Sequence, residues 1–92
     1  MMIGHLDTVF EPDSPNQEWR QIDENIVKGP GIADMKGGDV IILQSLSALH
    51  AAGLLKDMNI TVVMTGDEEL SGRPLDLSKK ALVDAAEWAD IA

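Results

Sequence analysis

The stretch 59-NITVVMTGDEEL-70 decides the fold. Residues 59–65 are a near-continuous β-branched run bounded by polar residues, which suits a strand buried on both faces of a parallel sheet. The chain then leaves in a loop carrying three acids in succession, Asp67, Glu68 and Glu69. Upstream, Ile42, Leu46, Leu49 and Ala52 recur at spacings of three and four. That spacing predicts an amphipathic helix from Gly38 to Ala52 with Gly53 at its C-terminal cap. Further upstream, residues 1–6 read as the end of a short buried strand.

On the other side of the acidic loop, Ser78 is placed to N-cap a second helix running to about Ala89. Leu82, Ala85 and Ala89 form its packed stripe, with Lys79, Lys80 and Asp84 outside. Ile91 and Ala92 read as the start of another strand. Strand, helix, strand, helix, strand is the alternation of an α/β layer structure with right-handed crossovers. Between the first strand and first helix, 11-EPDSPNQ-17 excludes regular structure through Pro12 and Pro15. The segment 19-WRQIDENIVKG-29 alternates weakly and predicts a hairpin of two short strands. The segment 29-GPGIADMKGG-38, half of it Gly or Pro, reads as a shaped loop.

Composition narrows the partners. A chain of 92 residues with 45% hydrophobic content is long enough for one small domain and leaves room for a single core. Such a chain buries about 60 to 65% of its surface, so a ligand, metal or partner would add materially to its stability. The net charge of −9, from 16 acidic against 7 basic residues, argues against nucleic acid and anionic membranes and favours cations. With no cysteine, a metal site has only His, Asp and Glu to draw on, which points to hard or borderline ions. The longest apolar run of the first helix, Val40–Leu43, falls far short of the roughly 20 residues of a membrane span. Met1–Asp7 has no basic segment of the kind that opens a signal peptide.

In parallel sheets, ligands bind outside the carboxyl ends of the strands. His5 and Asp7 stand at one such end and Glu68 and Glu69 at another, so the two clusters are expected to meet. Residues two apart in a strand share a face. Asp7 is thereby placed to hold the His5 imidazole, as acceptors commonly do for metal-bound histidines. Asp34, on the tightly shaped glycine-rich loop, is a further candidate ligand. Adjacent Glu68 and Glu69 point in different directions, so one can bind metal while the other takes a proton from an activated water. Each residue also has a plainer use: His5 as a structural histidine, Asp7 and residues 67–69 as solvated loop acids, Asp34 as a turn residue. The glycine-rich loop lacks the GxxxxGK[ST] spacing and the third glycine of GxGxxG, which argues against a nucleotide site. His50 reads as a surface residue, and Met35, Met58 and Met64 as core or loop filler.

Together GHLDTV (4–9), GPGIADMKGG (29–38) and TGDEELSG (65–72), in that order and spacing, resemble the zinc carboxypeptidase and aminoacylase family. This is family twenty of the metallopeptidases, which includes glutamate carboxypeptidase, acetylornithine deacetylase and succinyl-diaminopimelate desuccinylase. The resemblance covers nearly the whole chain. It implies a partial zinc-exopeptidase-type three-layer sandwich with a mostly parallel central sheet and flanking helices. It also implies hydrolysis of an amide or peptide bond by a dizinc-activated water, in an exopeptidase, dipeptidase or N-acyl amino acid deacylase.

By the same resemblance His5 binds one zinc, Asp7 orients His5, Asp34 bridges two zincs, Glu68 is the general base and Glu69 a ligand of the other zinc. Co2+ and Mn2+ are the substitute ions, and the Asp34–Met35 peptide is expected to be cis. The substrate class is a small peptide or N-acyl amino acid. Family members carry a further acidic ligand shortly after the strand expected at Ile91, and a histidine ligand much further on. They also have an opening part of the catalytic domain and an inserted domain that dimerises. None of these lies in residues 1–92, so the resemblance implies an internal fragment of one catalytic domain, inactive alone and dimeric through a domain outside it. The cytoplasm is the favoured compartment, a signal peptide ahead of Met1 being the other case. The rival reading is a non-catalytic metal-binding or assembly module derived from this fold, its open sheet edges completed by another chain.

Overall fold

The computed structural model describes all of residues 1–92. In chain order it contains β1 (Met2–His5), β2 (Arg20–Gln21), β3 (Val27–Lys28), α1 (Gly37–Ala51), β4 (Val62–Thr65), α2 (Leu75–Ser78) and α3 (Lys80–Trp88). β1 and β4 pair in parallel, Met2 opposite Val62 through His5 opposite Thr65. The Leu6 N–H donates to the Thr65 carbonyl at 2.8 Å, one step past the last pair. Both strands therefore end level, and the residues that follow them leave from the same edge. β2 and β3 form the expected hairpin, closed by the Asp23 carboxylate accepting the N–H groups of Asn25 and Ile26 at 2.8 and 2.9 Å. The architecture is a partial α/β fold, with α1 packed on β1 and α3 on β4.

β4 starts at Val62 rather than Asn59, and its side chains are half-buried instead of covered on both faces. The reason is that few elements pack against it. α1 ends as expected, with Gly53 at φ 71° just beyond it. The expected stripe of Ile42, Leu46 and Leu49 is its more covered side, but the helix is not simply amphipathic: Val40, Ile41 and Leu43 are exposed on the rest of its surface. An apolar surface on all sides belongs to a helix buried all round.

The second helix departs further from expectation. It is split into α2, opened by Pro74, and α3. Ser78 is the last residue of α2, and its hydroxyl donates to the Gly72 carbonyl at 2.9 Å, so it ties a loop instead of capping a helix. Lys79 is likewise turned inward, with its ammonium on Asp67. Lys80 and Asp84 do form an exposed pair one helical turn apart, and Leu82, Ala85 and Ala89 are the half-buried stripe. Ile91 and Ala92 form no strand. The Ile91 carbonyl accepts the N-terminal ammonium of Met1 at 2.6 Å.

Only Gly4, His5 and Asp39 are buried, and no apolar side chain is. The Cα radius of gyration is 16.1 Å, with extents of 44 × 40 × 13 Å. A compact chain of this length would have a radius of about 12 Å. The chain is a slab, one helix on one sheet thick, with its apolar faces uncovered. Asp39, in the first turn of α1, lies over Gly4, and neither of its carboxylate oxygens has a hydrogen-bond partner within the chain. The positive end of the helix dipole favours a carboxylate there.

Two outcomes follow from this packing. Expressed alone, the 92-residue chain should bind ANS and show no sharp thermal transition; a cooperative melt without dye binding would mean that it closes a core of its own. A Cβ at Gly4 would sit 2.7 Å from the Met64 sulfur and closer still to the Asp39 carboxylate. In the full-length protein Gly4→Ala should therefore cost about 1–3 kcal/mol, read by denaturant unfolding. Wild-type stability in that variant would show that the contact relaxes freely.

Candidate metal centre

His5 is the last residue of β1, held level with Thr65 by the sheet. It is 5% exposed, with its ring nitrogens facing two different segments. Nδ1 lies 3.2 Å from the Asp7 carbonyl oxygen and 3.4 Å from a carboxylate oxygen of the same residue. Nε2 lies 3.0 Å from Asp34 Oδ1. The expected orienting role of Asp7 thus has a geometry in which its main chain is the nearer acceptor.

Asp34 is delivered by the glycine-rich segment, which is more ordered than a loop. Residues Ile32–Lys36 make one widened turn, in which Lys36 N–H donates to the Gly31 carbonyl at 2.8 Å and Gly37 N–H to that of Ile32. Within the turn Asp34 and Met35 leave helical geometry, and the peptide between them is cis. Gly31 enters the turn at φ 68°, where a Cβ would meet Thr8 at 2.8 Å and the Lys36 ammonium. Only glycine takes that conformation readily with so little room. The Asp34 side chain is 75% exposed, so its carboxylate faces outward beside the buried imidazole.

The acidic loop closes the cluster from the other strand. The Glu69 N–H donates to Asp7 Oδ2 at 2.9 Å, so Asp7 ties the end of β1 to the loop after β4. Donor atoms of His5, Asp34 and Glu69 all lie within 4.8 Å of one another. One imidazole and two carboxylates this close together are a donor set that a divalent ion with nitrogen and oxygen ligands could draw in. Glu68, next to Glu69, makes no hydrogen bond through its carboxylate and is exposed. His50 lies on the exposed surface, as expected.

The electrostatics match the geometry. Burial alone would lower the His5 pKa, but the hydrogen bond to Asp34, the Asp7 carbonyl and the charges of Asp34 and Glu68 outweigh it and raise the imidazole above its ordinary value. Both ring nitrogens face acceptors, an arrangement that a proton on each satisfies and that a cation at Nε2 would satisfy equally. For Asp7, burial pushes the carboxyl up, while the N–H groups of Glu69 and Glu68 and the charge of His5 bring it below the usual range. Asp67 is held low by the Lys79 ammonium and the Gly72 N–H. The part of this arrangement that sequence reasoning missed is the Asp67–Lys79 contact, since an acid and a lysine in separate loop and helix segments carry no local pattern.

Comparison with known proteins gives the same direction. The family model for Peptidase family M20/M25/M40 matches residues 1–91. Carboxypeptidase G2 of Pseudomonas sp. (strain RS-16) is 35% identical over 75% of this chain and 17% of its own length. Succinyl-diaminopimelate desuccinylase of Xanthomonas oryzae pv. oryzae (strain PXO99A) is 31% identical over 75% of this chain and 19% of its own. The chain thus spans less than a fifth of the curated relatives that it matches. No solved structure gives a significant match. With nearly every residue inside the family match and the three motifs gathered around one cluster, the chain belongs to Peptidase family M20/M25/M40.

Proposed function

We propose that residues 1–92 are part of the catalytic domain of a metal-dependent amidohydrolase or exopeptidase that uses two zinc ions. The observation that carries this reading is the convergence of His5, Asp34 and Glu69 donors within 4.8 Å, with the unbonded Glu68 carboxylate beside them. The uncovered apolar faces of α1 and the small share of the relatives' length support a larger domain around it.

In this reading His5, Asp34 and Glu69 would hold the metal, with Asp34 shared between the two ions. A zinc ion held there would supply Lewis-acid chemistry, activating a water and the scissile carbonyl. Asp7 fixes the imidazole through Nδ1 and leaves Nε2 to face the ion. Glu68, free of other contacts, takes the proton of the attacking water and returns it to the nitrogen as the C–N bond breaks. A cleft of about 320 Å³ lined by Val9, Phe10 and Ile32 reaches Asp34 and Glu69, and gives an apolar part of a small peptide or N-acyl amino acid a wall to rest on. The inserted domain outside this chain would form the dimer.

The test uses the full-length protein. His5→Ala and Asp34→Ala should each lower bound zinc by elemental analysis; full zinc content in both would mean that the ligands are elsewhere. Glu68→Gln should keep its zinc but lose about 10²–10⁴-fold in kcat on dipeptide and N-acyl amino acid substrates. A fully active Glu68→Gln enzyme would remove Glu68 from the base role.

A further inference from the structure

The loop that carries Glu68 and Glu69 has no regular structure and holds three adjacent negative charges, which repel one another. One group of contacts counters this from outside the site. The Lys79 ammonium donates to the Asp67 main-chain carbonyl at 2.7 Å and lies 2.8 Å from Asp67 Oδ1. The other oxygen, Asp67 Oδ2, accepts the Gly72 N–H at 3.0 Å. The Gly72 carbonyl accepts the Ser78 hydroxyl at 2.9 Å. The loop is therefore closed on itself from Asp67 to Gly72 and fastened at both ends to the α2–α3 junction. Glu68 and Glu69 lie inside that closure. Lys79 and Asp67 are both more than three-quarters covered, so their contact is shielded, unlike the exposed Lys80–Asp84 pair.

We infer that Lys79 and Asp67 are positioning residues that set Glu69 against His5 and Asp34 and hold Glu68 clear of other partners. The inference rests on the metal-site reading above. Two anchors act on the loop: Asp7 holds the Glu69 N–H from the β1 side, and Lys79 holds Asp67 from the helix side. With one removed, the acidic residues are free to spread apart. Groups that orient metal ligands from behind commonly cost 10- to 100-fold in metal affinity or activity when removed.

The experiment measures zinc affinity by chelator competition, alongside kcat, in the full-length protein. The variants are Lys79→Met, Lys79→Arg, Asp67→Asn, the Lys79→Met/Asp67→Asn double variant and His5→Ala. Lys79→Met and Asp67→Asn should each weaken zinc binding and lower kcat about tenfold or more. Lys79→Arg should restore most of both, and the double variant should be no worse than the single ones, as expected for two residues acting as one contact. Wild-type zinc affinity in Lys79→Met, no rescue by Lys79→Arg, or additive losses in the double variant would overturn the inference. His5→Ala separates the two readings. If it loses zinc while Lys79→Met does not, the clamp alone is wrong; if it keeps zinc, the metal site itself is wrong.

Discussion

The parallel pairing of β1 with β4 is the constraint on which the site depends. Its register sets His5 against Thr65, and the hydrogen bond from Leu6 to Thr65 carries the alignment one residue past the strands. A slip of one residue would turn His5 to the other face and separate it from Asp34 and the acidic loop. Because both strands stop together, two loops far apart in sequence open at one edge. The Asp7 carboxylate then joins them by accepting the Glu69 N–H, while its carbonyl faces the His5 ring.

Much of this was legible in the sequence, because the signals were local. The β-branched run before Gly66 gave a strand, and the three- and four-residue spacing before Gly53 gave a helix. The family resemblance supplied the bond between Asp34 and Met35 in the form observed, whereas the shared strand face expected for His5 and Asp7 does not exist, because β1 ends at His5 and the nearer acceptor is the Asp7 carbonyl. The expectation that strand-end clusters would meet needed only the general behaviour of parallel sheets.

What was not legible depended on partners remote in sequence. Ser78 looks like a helix cap beside the residues that follow it, but the Gly72 carbonyl competes for its hydroxyl. Lys79 reads as solvated until Asp67 is brought beneath it. Ile91 and Ala92 have strand-like composition but pair with neither β1 nor β4. α1 has a legible packed stripe, yet Val40, Ile41 and Leu43 on the rest of it are exposed, so burial does not follow from apolar character alone.

The separation of the donors along the chain has a consequence for folding itself. His5 and Asp34 are 29 residues apart, and Glu69 lies a further 35 residues along the chain. An ion shared by such donors acts as a cross-link, closing long loops whose closure is otherwise an entropic cost. Binding free energy at sites of this kind becomes folding free energy, about 2.7 kcal/mol when the free ion stands at a hundred times its dissociation constant. For a segment with so thin an apolar interior, the same side chains that would serve chemistry would also hold the strand ends together, and chelation would loosen the edge of the sheet along with the site.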